Sequence, residues 1–170
     1  MRYLLAIAVF SCTVLTLNAQ VDRTNFRVGI NAGLVQGDFS DFYSFSLGLD
    51  VVHVWGLSKA LDLGFATGFN NAFGEDETVT DGGLSVATEF DNVQFVPVAG
   101  ALRIYPTYGF KFGGDLGYAV GINAGNEGGF YYKPIVGVDV NGNTEINVSY
   151  AVVSNDATFS TIQLGVLFLF

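Results

Sequence analysis

From residue 20 onward the chain never strings eighteen apolar residues together, yet bulky apolar residues recur at every second position along short segments. A membrane-spanning helix needs about twenty predominantly apolar residues, so helical spans are excluded from this part of the sequence. A period of two is the pattern of strands. In hydrocarbon every backbone N–H and C=O has to be paired within the protein, so strands can cross only as a closed barrel. A spanning strand takes roughly ten residues of such alternation between turn residues, and the chain supplies this pattern repeatedly.

The first segment, 26–35, sets Phe26, Val28, Ile30, Ala32 and Leu34 against Arg27, Gly29, Asn31 and Gly33. The second, 43–54, sets Tyr43, Phe45, Leu47, Leu49 and Val51 against Ser44, Ser46, Gly48 and Asp50. The third, 60–69, opposes Leu61, Leu63 and Phe65 to Asp62, Gly64, Ala66 and Gly68. The fourth, 93–105, is almost wholly apolar between Phe95 and Leu102. The phase that keeps Arg103 off lipid turns Val96, Val98, Leu102 and Ile104 outward, and Pro97, which lacks an N–H, predicts a local irregularity or bulge. The fifth, 110–122, alternates Phe110, Phe112, Leu116, Tyr118 and Val120 with Lys111, Gly113, Asp115, Gly117, Ala119 and Gly121. The sixth, 130–138, places Pro134, Val136 and Val138 opposite Lys133, Ile135 and Gly137. The seventh opposes Ile146, Val148, Tyr150 and Val152 to Glu145, Asn147 and Ser149. In the last, Ile162, Leu164, Val166, Phe168 and Phe170 alternate with Thr161, Gln163, Gly165, Leu167 and Leu169.

The expected architecture is therefore all-β: a single domain over 20–170, folded as an eight-stranded antiparallel up-and-down transmembrane β-barrel. Connections of alternating length support it. Short turns fall at 55–59, 106–109 and 139–143, the last containing Asn141-Gly142, a favoured pair for tight hairpins. The longest connection, 70–92, carries Glu75, Asp76, Glu77 and Asp81 and belongs outside the membrane.

Charge placement is the strongest physical argument. Arg27, Arg103, Lys111 and Lys133 all fall on the non-lipid phase, as do Asp50, Asp62, Asp115 and Glu145. An Arg or Lys facing lipid at mid-bilayer costs about 2–4 kcal/mol. These eight residues are expected to form an ion network filling the interior, because eight strands leave room for little beyond side chains. Glycines on the same phase, Gly29, Gly33, Gly48, Gly64, Gly113, Gly117 and Gly121, have two readings: space for long Arg and Lys stems, or relief for barrel curvature.

Residues 1–19 begin with Arg2, continue through an apolar run from Leu4 to Leu17 and end at Asn18 and Ala19, the form of a secretory leader cleaved after Ala19. Cys12, the sole cysteine, lies inside that leader. Disulfides and thiolate-held zinc are then excluded from the mature chain. Seven basic residues face sixteen acidic ones, a net charge of -9 that becomes more acidic once Arg2 is removed. Such a chain has no basic surface for nucleic acid.

Motifs for chemistry are sparse, and no cofactor or metal site is expected. His53, the only histidine, falls at the end of the second segment where short turns lie, which favours an interfacial position over a serine-histidine relay. The acids at 75–81 could gather calcium but match no calcium loop, and read as a solvated loop. The glycine-rich stretch 123–129 lacks the lysine and helix of a phosphate cradle. Trp55, Tyr105, Tyr108, Tyr131 and Tyr132 lie near segment ends, where rings settle at the headgroup boundary. Asn147-Val148-Ser149 forms a glycosylation sequon.

The final strand with its terminal Phe170, the leader ending Leu-Asn-Ala-Gln and the stretch from Val96-Pro97-Val98 to Arg103-Ile104-Tyr105-Pro106 together carry a resemblance. The chain resembles small bacterial outer-membrane β-barrels of the OmpX and OmpA-barrel kind, especially Bacteroidota-type PorT-like barrels, over nearly all of 20–170. The resemblance implies an outer-membrane location and contact with membrane lipid and lipopolysaccharide. It also implies delivery to the barrel-insertion machinery through Phe168 and Phe170. It does not fix an activity. The expected role is non-enzymatic: envelope-structural, or presenting surface loops to a partner. A narrow channel or carrier of small hydrophobic ligands is the first alternative. A soluble lipocalin-like barrel, whose faces would be inverted, is the second.

Overall fold

The computed structural model describes residues 26–81 and 84–170. The leader at 1–19, its cleavage point and the start of the mature chain lie outside the described residues. The strands are β1 (Phe26–Gln36), β2 (Tyr43–Ser58), β3 (Leu61–Gly74), β4 (Asp76–Asp81), β5 (Leu84–Glu89), β6 (Val93–Thr107), β7 (Phe110–Gly121), β8 (Gly129–Asp139), β9 (Thr144–Ser154) and β10 (Thr158–Leu169). A 3₁₀ turn, Gly37–Phe39, follows β1.

Eight strands close into one barrel in the order β1-β10-β9-β8-β7-β6-β3-β2. Each is antiparallel to its chain neighbour, and β1 pairs with β10 from Arg27↔Leu169 to Gln36↔Ser160. Beyond that ladder, the Phe170 N–H donates to the Phe26 carbonyl at 2.8 Å. β4 and β5 pair only with each other, as a hairpin projecting from the connection between β3 and β6. Closure leaves no free edge in the barrel, which is what backbone surrounded by hydrocarbon demands.

The alternation sorts the side chains as the period of two requires. Ile30, Phe65, Leu116, Leu164 and Phe168 are exposed on the outer surface, while Arg27, Asp62, Lys111 and Glu145 are buried within. Strand β6 follows the phase that Arg103 dictated: Val98 and Leu102 are exposed, and Phe95, Ala99, Ala101 and Arg103 are buried.

Several boundaries and orientations differ from the sequence reading. β2 runs on to Ser58, with Trp55 paired to Leu63, and β6 and β8 extend to Thr107 and Asp139. The short turns shrink to 59–60, 108–109 and 140–143 because residues with turn-like character still find ladder partners. The connection 70–92 is mostly strand: β3 continues to Gly74, with Asn71 and Ala72 paired to Gln94 and Val93, and the hairpin follows. Pro97 makes no bulge. The β3–β6 ladder skips its level yet resumes in the same register, and the Thr67 hydroxyl donates to the Pro97 carbonyl at 2.8 Å. The interruption at Pro97 is thus a local irregularity without a register shift, and the register shifts fall between Tyr43 and Ser46, between Gly56 and Ser58, and between Ile104 and Thr107. The first of these reverses Tyr43. Assigned to the outward phase, it turns inward across the shift and packs on Phe39 and Phe159.

At none of the seven glycines is the nearest obstruction an Arg or Lys stem, and most permit close approach of the neighbouring strand. A Cβ at Gly29, Gly64, Gly113 or Gly117 would be driven into a carbonyl oxygen of the neighbouring strand, that of Val166, His53, Leu102 and Val98 respectively. These positions permit close backbone approach in a small, strongly coiled barrel. At Gly48 the obstruction is the amide of Asn31, 2.6 Å away, so this glycine makes room for a polar side chain.

Candidate functional site: the barrel interior

The interior is layered from the end bearing the long connections to the end bearing the termini. At the long-loop end Phe39, Tyr43, Phe95 and Phe159 form an aromatic plug, with ring centroids of Phe159 lying 5.6–5.9 Å from the other three. Val35, Ala72 and Val153 pack into the same apolar cluster. Below it lies a layer of amides. Gln94 donates to Asn71 at 2.9 Å, Asn70 to Asn31 at 3.4 Å, and Asn31 to Asp50 at 2.9 Å.

The eight charged residues named from the sequence occupy the remaining depth, grouped by ion pairing. Lys133 reaches both carboxylate oxygens of Asp50, at 3.0 and 2.8 Å. Arg103 donates to Asp115 at 2.7 Å and to the carbonyls of Leu102 and Gly114. Towards the terminus end Arg27 lies 3.5 Å from both Asp62 and Glu145, and Lys111 lies 2.7 Å from Glu145. Seven of the eight are buried to 5 % exposure or less, and the Asp50 side chain retains 16 %. An isolated buried charge would be far costlier than these arrangements, in which each guanidinium, ammonium and carboxylate meets an opposite charge.

Three further residues join this network. Asp139, read as part of a turn, lies 2.6 Å from Lys111. Tyr105 accepts from Arg27 at 2.6 Å, whose guanidinium also lies 3.5 Å from Asp62. Tyr131 is buried beside the ion pairs at 6 % exposure. Tyr105 and Tyr131 therefore do not sit at a headgroup boundary. The signal for all three was present: Asp139 follows inward Gly137 by two, Tyr105 follows Arg103 by two and Tyr131 precedes Lys133 by two. Phe159, two before Thr161, obeys the same rule.

The other candidates lie elsewhere. His53 faces outward between Phe26 and Trp55, with ring centroids at 6.3 and 4.6 Å. Trp55, Tyr108 and Tyr132 are exposed on the outer surface. Asn147 points inward and donates to Glu145 at 3.2 Å, so the sequon is inaccessible. In the glycine-rich loop, Asn123 and Asn126 bond the backbone of Gln94 and Gly128, which spends the groups a phosphate would need. Among the described residues no cluster of His, Cys, Asp and Glu is arranged to hold a metal ion.

Two spaces remain. A cavity of about 30 Å³ lies between the plug and the Lys133–Asp50 pair, lined by Asn31, Asn70, Tyr131 and Gln163 among others. A vestibule of about 960 Å³ opens at the terminus end, bordered by Arg27, Lys59, Tyr105, Asp139 and Leu169.

An apolar exterior, a charged interior and eight closed antiparallel strands define a small transmembrane β-barrel of the outer-membrane type. Solved structures agree with that class. The chain is similar to the Yersinia pestis outer membrane protein Ail in phospholipid bilayer nanodiscs, at 14% identity and TM-score 0.54, over 86% of this chain and 99% of that one. It is similar to the crystal structure of Ail, the attachment invasion locus protein, at 15% identity and TM-score 0.53, over 86% and 97%. A designed transmembrane β-barrel matches at 13% identity and TM-score 0.52, over 88% and 98%. At such identities the likeness is one of fold. No protein-family model and no curated protein matches the sequence.

Proposed function

We propose that the chain is a non-enzymatic protein of the bacterial outer membrane, related to the OmpX and PorT-like barrels, that acts through its long loops rather than through its interior. The observation that carries this reading is the filled interior. Among the described residues the aromatic plug, the amide layer and the ion pairs fill the interior, with a cavity of about 30 Å³ at their junction, which disfavours a diffusive path for a solute. The apolar outer face is the inverse of a lipocalin-like barrel.

The long-loop end supplies the working surface. Asp38, Asp41, Glu75, Asp76, Glu77, Asp81, Glu89, Asp91, Glu127 and Asp156 all lie in its turns, hairpin and loops, with no Lys or Arg among them. With that end outside the cell, the acidic crown favours a cationic partner, or lipopolysaccharide phosphates bridged by divalent cations. Ail has been crystallised with the heparin analogue sucrose octasulfate. A polyanion of that kind would be repelled by the crown of the present chain. Phe168 and Phe170, both exposed, are suited to recognition by the insertion machinery.

Planar-bilayer recording tests the reading. Purified barrel is expected to show no discrete conductance steps, and reproducible steps abolished by denaturing the protein would replace it with the channel reading.

A further inference from the structure

We propose that the side chains of Lys111 and Asp139 become joined by an amide bond, formed within the folded barrel with Glu145 as the proton carrier.

Lys111 is fully buried and its ammonium is held between two carboxylates from different strands. Its Nζ lies 2.6 Å from Oδ1 of Asp139 and 2.7 Å from Oε2 of Glu145. The two contacts differ in kind. The one to Glu145 is an aligned hydrogen bond, whereas Oδ1 of Asp139 is buried without an aligned donor despite the shorter distance. Glu145 is thus placed to exchange protons with Nζ, and the Asp139 carboxyl carbon, one bond from Oδ1, is placed within reach of the nitrogen. Reacting groups held this close convert a slow bimolecular step into an intramolecular one.

The local fold produces the arrangement. Gly137 lies directly across the ladder from Lys111, and the space that a Cβ would take there is occupied by the Glu145 carboxylate, 3.0 Å from that position. Glu145 is the ladder partner of Asp139 and of Leu167 on its other side. Leu167, Leu169 and Tyr105 bring apolar surface to the site, and the Tyr105 ring lies 5.7 Å from Nζ.

The reaction balances without a co-reactant. The Nζ–Cγ bond forms and one Cγ–O bond of Asp139 breaks. The two protons that Nζ gives up pass through Glu145 to the departing oxygen, which leaves as water, and Glu145 ends as it began. The Lys133–Asp50 pair is an internal control. Both of its contacts are aligned hydrogen bonds to Asp50, and among the described residues no second carboxylate pairs with Lys133, so this pair stays ionic.

Intact-mass spectrometry of the barrel purified from membranes and then unfolded tests the proposal. The wild-type chain is expected to be lighter than its mature sequence by one water, and fragment mapping should recover a branched peptide joining Lys111 to Asp139. Lys111→Arg and Asp139→Ala should each restore the full mass. Glu145→Gln, assayed where its gel mobility still shifts on heating as a folded barrel does, should also show full mass. A wild-type chain of full mass would overturn the proposal, as would a water loss that maps instead to Asp81-Gly82, where an aspartyl-glycine sequence can dehydrate by itself. Complete linkage in Glu145→Gln would remove that residue from the mechanism.

Discussion

At the scale of single residues, the interior charges are held by geometry that tolerates little substitution. Arg103 sits at 1 % exposure against Asp115. Truncating either partner strands a buried charge, for which losses of about 3–5 kcal/mol are typical. Asp115→Ala is therefore expected to lower stability by that order in urea titrations of the micelle-bound barrel, whereas replacing Arg103 and Asp115 together by apolar residues of similar size should cost much less. Equal losses in the single and double variants would show that the pair is not what the residues contribute. The glycines allow a second comparison. A Cβ at Gly64 or Gly113 would strike backbone, while one at Gly100 meets nothing nearer than the Leu116 carbonyl at 3.8 Å. Gly64→Ala and Gly113→Ala should each cost about 1–3 kcal/mol, the range for overpacking, and Gly100→Ala should be close to neutral on the same titration.

At the scale of elements, the strands were legible where the sequence alternates and obscure where it does not. Arg103 alone fixed the phase of β6 through an apolar run that periodicity could not resolve, because only one phase keeps a guanidinium off lipid. The same reasoning put eight charged residues on the inner phase, where their side chains lie, and passed over Asp139. What escaped were places where backbone geometry overrides pattern. The register shift before Ser46 turns Tyr43 inward, and no feature of 43–46 announces it. Tyr105, Tyr131 and Asp139 escaped for a different reason: residues near segment ends were read by their chemistry, as boundary aromatics or turn acids, when the phase of their strands already pointed them inward. The hairpin β4–β5 was hidden in an acidic stretch that reads as loop. Since it pairs only with itself, replacing 76–89 by a short glycine-serine linker should leave the barrel's heat-shifted gel mobility unchanged. Loss of the folded band in that variant would mean that the hairpin is needed to close the barrel.

At the scale of the whole molecule, the chain solves a solvent problem in reverse. Its large apolar side chains face outward and its polar groups consolidate a narrow interior, so lipid acyl chains take the place that a core occupies in a water-soluble protein. Exposed Leu, Val and Phe on every barrel strand would be an aggregation hazard in water and are the contact surface in a bilayer. Acidic residues collect in the loops at one end and in the interior, which gives the molecule a charged crown above an apolar belt. This inversion is the claim on which the fold, the interior network and the proposed role all depend. It is tested most directly by methyl NMR of the barrel in lipid nanodiscs, reading cross-relaxation between protein methyl groups and lipid acyl chains. Methyls of Val136, Val148 and Leu164 are predicted to show acyl-chain contacts, and those of Val54, Ala101 and Ala119 to show none. Acyl-chain contacts at the second group with none at the first would contradict the account.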